Sequence, residues 1–123
     1  TTEIYTLSLH DALPIYRKTG ADLLVNMAAW PKSRKTHWDT LTRARAIENQ
    51  TFMVALTQTG LLADGVENLG HSLIYDFEGK ILDEIEEIEG GIYAEIDLKE
   101  MYDFRENCPS INDIKDSYEV IKK

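Results

Sequence analysis

Three histidines, one cysteine and a run of carboxylates are the groups of this 123-residue chain that could perform catalysis or bind a metal. A nucleophilic cysteine needs a neighbouring cation or base that lowers the pKa of its thiol. Cys108, the only thiol, stands between Asn107 and Pro109, with no lysine or histidine nearby in the sequence. We therefore interpret Cys108 as a structural or incidental residue.

The histidines do not form a catalytic or metal-binding pattern. His10 and Asp11 are adjacent, so their side chains do not face each other, and no serine nucleophile motif accompanies them. His37 and His71 lack partners at metal-ligand spacing, and we interpret them as a packing residue at a helix start and a hydrogen-bonding residue at a strand start. The acidic run 83–89 (DEIEEIE) alternates with isoleucines, which favours a solvated hairpin. These residues predict neither a catalytic group nor a metal site.

A buried strand is predicted at 22–29 (DLLVNMAA), because this apolar run has strand length and no polar alternation, which indicates burial on both faces. Ligand crevices in α/β folds open at the carboxyl ends of such strands. Ala28, Ala29 and Trp30 stand at this end and are our candidate pocket-lining residues, since two small side chains leave room for a ligand. For Trp30, pocket lining and core packing are equally supported.

A helix is predicted over 37–49, with Thr36 as its N-cap in a shortened capping box. The spacing of its apolar residues places Trp38 and Leu41 on the inward face.

Further strands and one further helix follow along the chain. A second helix covers 98–107, capped by Asp97 and stopped by Pro109, and the alternation within residues 1–14 could form one more strand. This is a mixed α/β layer in which so few helices leave one sheet face uncovered, so we expect the chain to be incomplete. The remaining predicted strands are 51–59, 71–76, 81–85 and 92–96.

Composition excludes two classes of partner. The net charge of −9 gives no basic surface for nucleic acid or for an anionic membrane. No apolar run approaches the ~20 residues of a membrane span, and the N-terminus lacks the basic start of a signal peptide. One cysteine allows no internal disulfide, which fits a reducing compartment. We expect a cytoplasmic protein that binds neither nucleic acid nor membrane.

Three stretches of the chain together carry a family resemblance. They are NMAAWPKSRKTHWDTLTRARAIENQ at 26–50, GHS at 70–72 with the hairpin that follows, and AEID at 94–97 with Arg105 and Pro109. This combination resembles the carbon–nitrogen hydrolase (nitrilase) superfamily over about residues 15–116, and most resembles its bacterial ω-amidase-like branch.

The resemblance implies the C-terminal part of a four-layer α-β-β-α sandwich, incomplete in this chain, with 15–107 as a partial domain and 108–123 as a tail. It places Trp30 beside the substrate pocket and the helix 37–49 near the interface of a homodimer or higher oligomer. Within that helix Arg45 and Glu48 are expected to form a partly buried ion pair. The residues expected in structural or dimer contacts are Arg43, Arg45, Glu48 and Asn49.

The family's chemistry uses a glutamate base, a lysine that stabilises the oxyanion and a cysteine that forms a thioester, without metal or organic cofactor. The cysteine is expected in a cysteine–tyrosine–aspartate motif directly before Ile15, and the glutamate and lysine far upstream. Residues 9–14 (LHDALP) occupy the place of that motif, so no catalytic residue is assigned. The string YTLSLHDALPI at 5–15 resembles translated sequencing-adapter DNA, and we predict that residues 1–14 are not native.

The first functional hypothesis is therefore part of a carbon–nitrogen hydrolase that cleaves a small amide, such as the ω-amide of a dicarboxylic acid, and is inactive by itself. The alternative is a non-catalytic half-fold interaction or dimerisation module, which would form a stable oligomer. A third, the amidase half of a larger synthetase, is disfavoured by the short tail after Pro109.

We expect sequencing of the genomic locus across the codons for residues 1–20 to reveal an in-frame cysteine–tyrosine–aspartate motif before Ile15. Residues 1–14 found in frame in clean genomic reads would remove the prediction of a non-native segment.

Overall fold

A five-stranded sheet organises the protein, and our computed structural model describes residues 4–7, 15–113 and 115. The strands lie in chain order across the sheet. The first three run parallel and the last two add antiparallel, the final pair as a hairpin with an irregularity at Ile74 and Tyr75. The strands are β1 (Ile4–Leu7), β2 (Leu23–Ala28), β3 (Phe52–Thr57), β4 (His71–Tyr75) and β5 (Ile81–Glu86).

Three α-helices accompany the sheet, and α2 (Lys35–Asn49) is the crossover between β2 and β3. The short helix α1 (Ile15–Lys18) precedes β2 and was not anticipated from the sequence. The helix α3 (Leu98–Asn107) begins where the Asp97 carboxylate accepts a hydrogen bond from the Glu100 amide at 3.1 Å, which confirms the predicted cap. Two 3-10 helices cover Lys32–Arg34 and Ser110–Asp113.

The start of α2 differs from the prediction. The 3-10 helix at Lys32–Arg34 runs directly into α2, so the N-cap position falls on Arg34 and no side chain caps the helix. Thr36 therefore lies inside the first turn rather than before it. Asp39 was predicted to complete the capping box with Thr36, but its carboxylate contacts Lys35 and His71 instead.

The buried side of α2 follows steps of four, four and three residues, and the sequence pattern missed all of them after Trp38. Its fully enclosed residues are Trp38, Thr42, Ala46 and Asn49, whereas Leu41, predicted to face inward, is 37% exposed. The inward stripe pairs large with small side chains, because the helix lies close to β3 and β4. Trp38 and Ala46 pack in one cluster with Leu24, Met53 and Leu73 of the sheet.

The described residues cover the opposite face of the sheet only near the amino ends of β2 and β3. There α3 contributes Met101 to a second cluster with Phe52 and Phe77. Towards the carboxyl end the side chains on this face stay half-buried or open, and Met27 is 62% exposed. The prediction that β2 is buried on both faces is therefore wrong for its second face, whereas the predicted uncovered face is present.

Two further predictions end differently. Residues 92–96 are extended but make no strand ladder, and this segment is tied to β5 by a hydrogen bond from the Tyr93 amide to Asp83 Oδ2 at 2.7 Å. The predicted extended tail begins with the 3-10 helix at Ser110–Asp113, and its last residues lie outside the described part of the chain, as do residues 8–14.

A buried guanidinium locks α3 to the amino end of the sheet. Arg105, whose side chain is 5% exposed, donates to Asp22 Oδ1 at 2.8 Å, to the Gln50 carbonyl at 2.8 Å and to the Ala21 carbonyl at 2.9 Å. The Tyr102 hydroxyl donates to the other oxygen of Asp22 at 2.8 Å. Each nitrogen of this buried guanidinium donates one hydrogen bond, and such a buried ion pair is costly to break because removal of one partner leaves the other charge unpaired.

Replacing Arg105 by methionine should therefore lower the free energy of unfolding by about 3–5 kcal/mol, measured by urea denaturation at neutral pH. Lys99→Ala is the matched control on the same helix, because the Lys99–Asp103 pair is on the surface and should add little. A loss below about 1 kcal/mol for Arg105→Met would contradict the assigned role.

Candidate functional site

The parallel strands β2 and β3 end side by side, and a depression of about 320 Å³ opens there. Ala28 and Ala29, two of the predicted pocket-lining residues, line it. The small alanine side chains leave the opening between the strand ends, which is where α/β folds bind ligands. The other lining residues are Met27, Leu56, Thr57 and Gln58.

Trp30 turns away from this depression and towards the helix layer. Its ring packs on Trp38 with centroids 5.4 Å apart, and its indole N–H donates to the Arg34 carbonyl at 2.8 Å. The Trp30 carbonyl accepts from the Leu69 amide at 2.7 Å, so the residue also anchors the loop that precedes β4. Of the two readings of Trp30, these contacts favour packing, and a direct substrate contact stays a prediction.

A second depression, of about 440 Å³, adjoins the first on the uncovered side of the sheet. Thr57 and Gln58 line both depressions. The Gln58 backbone is fixed because its carbonyl accepts from the Gly70 amide at 2.9 Å. Leu61, Ile85 and Ile88 add apolar side chains to the larger depression, whose lining is otherwise mainly polar.

A charged cluster that the sequence did not suggest surrounds His71, which is only 4% exposed. Its Nδ1 lies 2.7 Å from Asp39 Oδ1, and its Nε2 lies 2.8 Å from Glu84 Oε2. Lys35 Nζ lies 2.7 Å from the same Nδ1 and also pairs with Glu86. The prediction of a hydrogen-bonding histidine at a strand start is confirmed, whereas Glu84 and Glu86 are not merely solvated.

Two groups of this cluster have shifted pKa values. The hydrogen bond from Lys35 lowers the pKa of Glu86 below the usual glutamate value. Burial opposes the charged form of Lys35, but hydrogen bonds to Glu86 and Asp39 outweigh it and raise the pKa of Lys35. The cluster thus joins the first turn of α2 to β5 through an ion pair that needs Lys35 protonated and Glu86 ionised.

The four helix residues assigned to structural or dimer contacts take different positions. Arg45 and Glu48 form the expected partly buried ion pair. Asn49 is fully enclosed and donates to the Arg45 carbonyl at 2.9 Å, whereas Arg43 is exposed and lies over the Tyr75 ring at 5.7 Å. Contacts with a second copy stay a prediction for all four.

The remaining candidates lie away from this edge. Cys108 is exposed, and its carbonyl accepts from the Gln50 side chain at 2.8 Å, which places it at the amino ends of the strands, opposite the depressions. His37 is exposed on α2, so its predicted packing role is wrong. Cys108 therefore cannot reach a ligand held between the carboxyl ends of β2 and β3, and His37 lines neither depression.

One buried amide on β2 has no partner among the described residues. Asn26 is 1% exposed, and neither its Nδ2 nor its Oδ1 has a hydrogen bond to a residue that the structure describes. It lies in register with Leu7, the last residue of β1. Unpaired buried amides are uncommon because their desolvation is not compensated.

Among the residues that the structure describes, no helix is long and apolar enough to cross a membrane.

Comparison with known proteins gives a consistent set of relatives. The carbon–nitrogen hydrolase family model matches residues 7–106. The 2-oxoglutaramate amidase of Bacillus subtilis (strain 168) is 48% identical over 100 residues, which make up 80% of this chain and 38% of that protein. The omega-amidase YafV of Yersinia enterocolitica is 36% identical over 93 residues, 75% of this chain and 36% of that protein. The chain thus spans well under half the length of these relatives.

A solved structure gives the same picture. XC1258 from Xanthomonas campestris, described as a CN-hydrolase superfamily protein with an arsenic adduct in the active site, superposes with a TM-score of 0.80 at 29% identity. The superposition covers 95% of this chain and 48% of that one.

Acid should weaken the lysine–glutamate link between α2 and β5. A carboxylate whose pKa is lowered on folding stabilises the protein above its unfolded pKa, and that stability is lost as pH falls through the folded value. Glu86→Gln should therefore lower the urea midpoint at about pH 6, and the difference from wild type should close towards about pH 3.

Glu89→Gln is the matched control, since Glu89 is exposed and forms no ion pair within the described residues. If the two substitutions changed the urea midpoint equally at every pH, the Lys35–Glu86 contact would make no contribution to stability.

Proposed function

Because the chain belongs to the carbon–nitrogen hydrolase family, we propose that it is part of a cytoplasmic amidase that cleaves the C–N bond of a small amide through a cysteine thioester. The observation that carries the proposal is the depression at the carboxyl ends of β2 and β3, lined by Ala28 and Ala29. The position of these strand ends suits a substrate pocket in an α/β fold.

The nucleophile, the base and the oxyanion-stabilising lysine are proposed to lie outside this chain. The only cysteine of the chain is at the opposite end of the sheet from the depressions. In the proposed reaction a thiolate attacks the amide carbon, the C–N bond breaks, and ammonia leaves with a proton from the base. Water then cleaves the thioester and gives the acid and the free thiol.

The uncovered sheet face supports the view that this chain is one half of a larger sandwich. Val25, Val54 and Leu56 are half-buried there, and Met27 is open to solvent. An apolar sheet face of this kind is normally buried against a second layer. In the proposed enzyme, a second sheet from upstream sequence covers this face and closes the two depressions into a pocket.

The relatives support a substrate class. Proteins named 2-oxoglutaramate amidase, from Bacillus subtilis (strain 168) and Paenarthrobacter nicotinovorans, are 48% and 40% identical to this chain over the matched residues. We propose that the substrate of the intact enzyme is likewise the ω-amide of a short dicarboxylic acid. The apolar lining between the strand ends suits the carbon chain of such a molecule.

A dimer or higher oligomer through the outer side of α2 is part of the proposal. Ile47 is 48% exposed on that side, beside Arg43 and Ala44 in a shallow depression of about 430 Å³. The same exposed apolar groups favour the second candidate function, a non-catalytic half-fold that acts as an interaction or dimerisation module. Such a module should be a soluble, monodisperse oligomer by itself, whereas part of a sandwich should aggregate.

The test is a hybrid enzyme in which residues 15–123 replace the matching C-terminal part of the Bacillus subtilis relative. We expect the purified hybrid to release ammonia from 2-oxoglutaramate, because this chain would supply the pocket wall and the relative would supply the catalytic groups. The control is the same hybrid with the relative's nucleophilic cysteine changed to serine, which should be inactive.

A folded hybrid that binds or cleaves no small amide would overturn the proposal. A stable oligomer formed by the chain alone, together with an inactive hybrid, would favour the interaction module.

A further inference from the structure

His71 is the meeting point of three elements beside the candidate site. Its ring contacts Asp39 of α2 on one side and Glu84 of β5 on the other, and its side chain is 5% exposed. Its backbone carbonyl accepts the indole N–H of Trp38 at 2.9 Å. Trp38 in turn packs on Trp30, which directly follows Ala29, a lining residue of the smaller depression.

The Nδ1 atom of His71 faces two partners with opposite requirements. Asp39 Oδ1 and Lys35 Nζ are each 2.7 Å away. A carboxylate can only accept, so the contact with Asp39 needs a proton on Nδ1. An ammonium group can only donate, so the contact with Lys35 needs an Nδ1 that carries no proton. The ring cannot satisfy both contacts in one protonation state.

The other ring nitrogen is compatible with both states. Nε2 lies 2.8 Å from Glu84 Oε2 and 3.5 Å from Glu86 Oε1, and both oxygens accept. A ring that keeps its Nε2 proton therefore stays anchored to β5 while Nδ1 exchanges partners. The charged groups that face the ring are thus Lys35 and Asp39 from α2, and Glu84 and Glu86 from β5.

We propose that His71 is a positioning residue whose protonation chooses between Asp39 and Lys35 and thereby sets the first turn of α2 and the tryptophan pair beside the pocket. With the ring protonated, His71 holds Asp39, and Lys35 turns from the ring while it keeps its pairs with Glu86 and with Asp39 Oδ2. With the ring neutral, His71 accepts from Lys35, and the link to Asp39 is released.

A shift of the first turn of α2 would be transmitted to the wall of the smaller depression through Arg34 and Trp30. Lys35 is the first residue of α2 and directly follows Arg34, whose carbonyl accepts the Trp30 indole N–H at 2.8 Å. A shift of this turn therefore moves the Trp30 side chain. Trp30 adjoins Ala29, which lines the smaller depression.

The test is a pH titration by NMR of the hybrid enzyme described above, which follows the His71 ring nitrogens and the indole N–H signals of Trp30 and Trp38. We expect both indole signals to shift with the same pH midpoint as the His71 ring, and His71→Gln to abolish the indole shifts. Indole signals that do not titrate, or that follow another midpoint, would overturn the proposal.

Two near-isosteric variants separate this role from a merely structural one. Asp39→Asn weakens the partner of the protonated ring, so the midpoint should fall. Lys35→Met removes both the donor to the neutral ring and a nearby positive charge, so the midpoint should rise. Shifts in the same direction, or none, would refute the exchange of partners, and the wild-type titration decides the question if a variant fails to fold.

Discussion

The enclosed guanidinium of Arg105 is the constraint on which the rest of the structure depends. It joins α3 to the residues that precede β2 and β3, through Asp22 and the Gln50 carbonyl. Gln50 ends α2 in the left-handed conformation, with φ of 50°, which is unfavourable for a residue with a side chain. Because Arg105 holds the Gln50 carbonyl, α2 ends at a fixed point next to the sheet, and this favours the observed register of β2 and β3.

The two ends of the sheet therefore carry different features. The amino ends carry the ion pair, the α3 cluster with Phe77 and the exposed Cys108, and they bear on stability. The carboxyl ends carry the depressions, the tryptophan pair and the His71 cluster. A change at the amino ends is thus expected to alter stability, whereas a change at the carboxyl ends is expected to alter the proposed pocket.

Local signals in the sequence predicted local structure well. The Asp97 cap and the Arg45–Glu48 pair involve residues three apart, so spacing alone was sufficient. Thr36 failed as a cap because a 3-10 helix precedes α2, and no propensity rule anticipates that run. Leu41 failed because its contacts depend on how closely the helix approaches the sheet, which packing decides.

The His71 cluster escaped prediction because its members are far apart in sequence and on different elements. One signal was available: the hairpin register places Glu86 opposite His71, and strand alternation places Glu84 on the same face. The partners on α2 could not be found in this way, because their placement depends on the crossover. The candidate pocket was predicted as far as Ala28 and Ala29, while the rotation of Trp30 towards Trp38 needed the folded helix.

The Asp22–Arg105 ion pair has a consequence for folding during translation. Asp22 and Arg105 are separated by 83 positions in the chain, so the carboxylate leaves the ribosome long before its partner is synthesised. Until then the amino end of the sheet holds an acid without its cation, and this long-range contact forms late. The ion pair can therefore close the amino end of the sheet only after α3 has been synthesised.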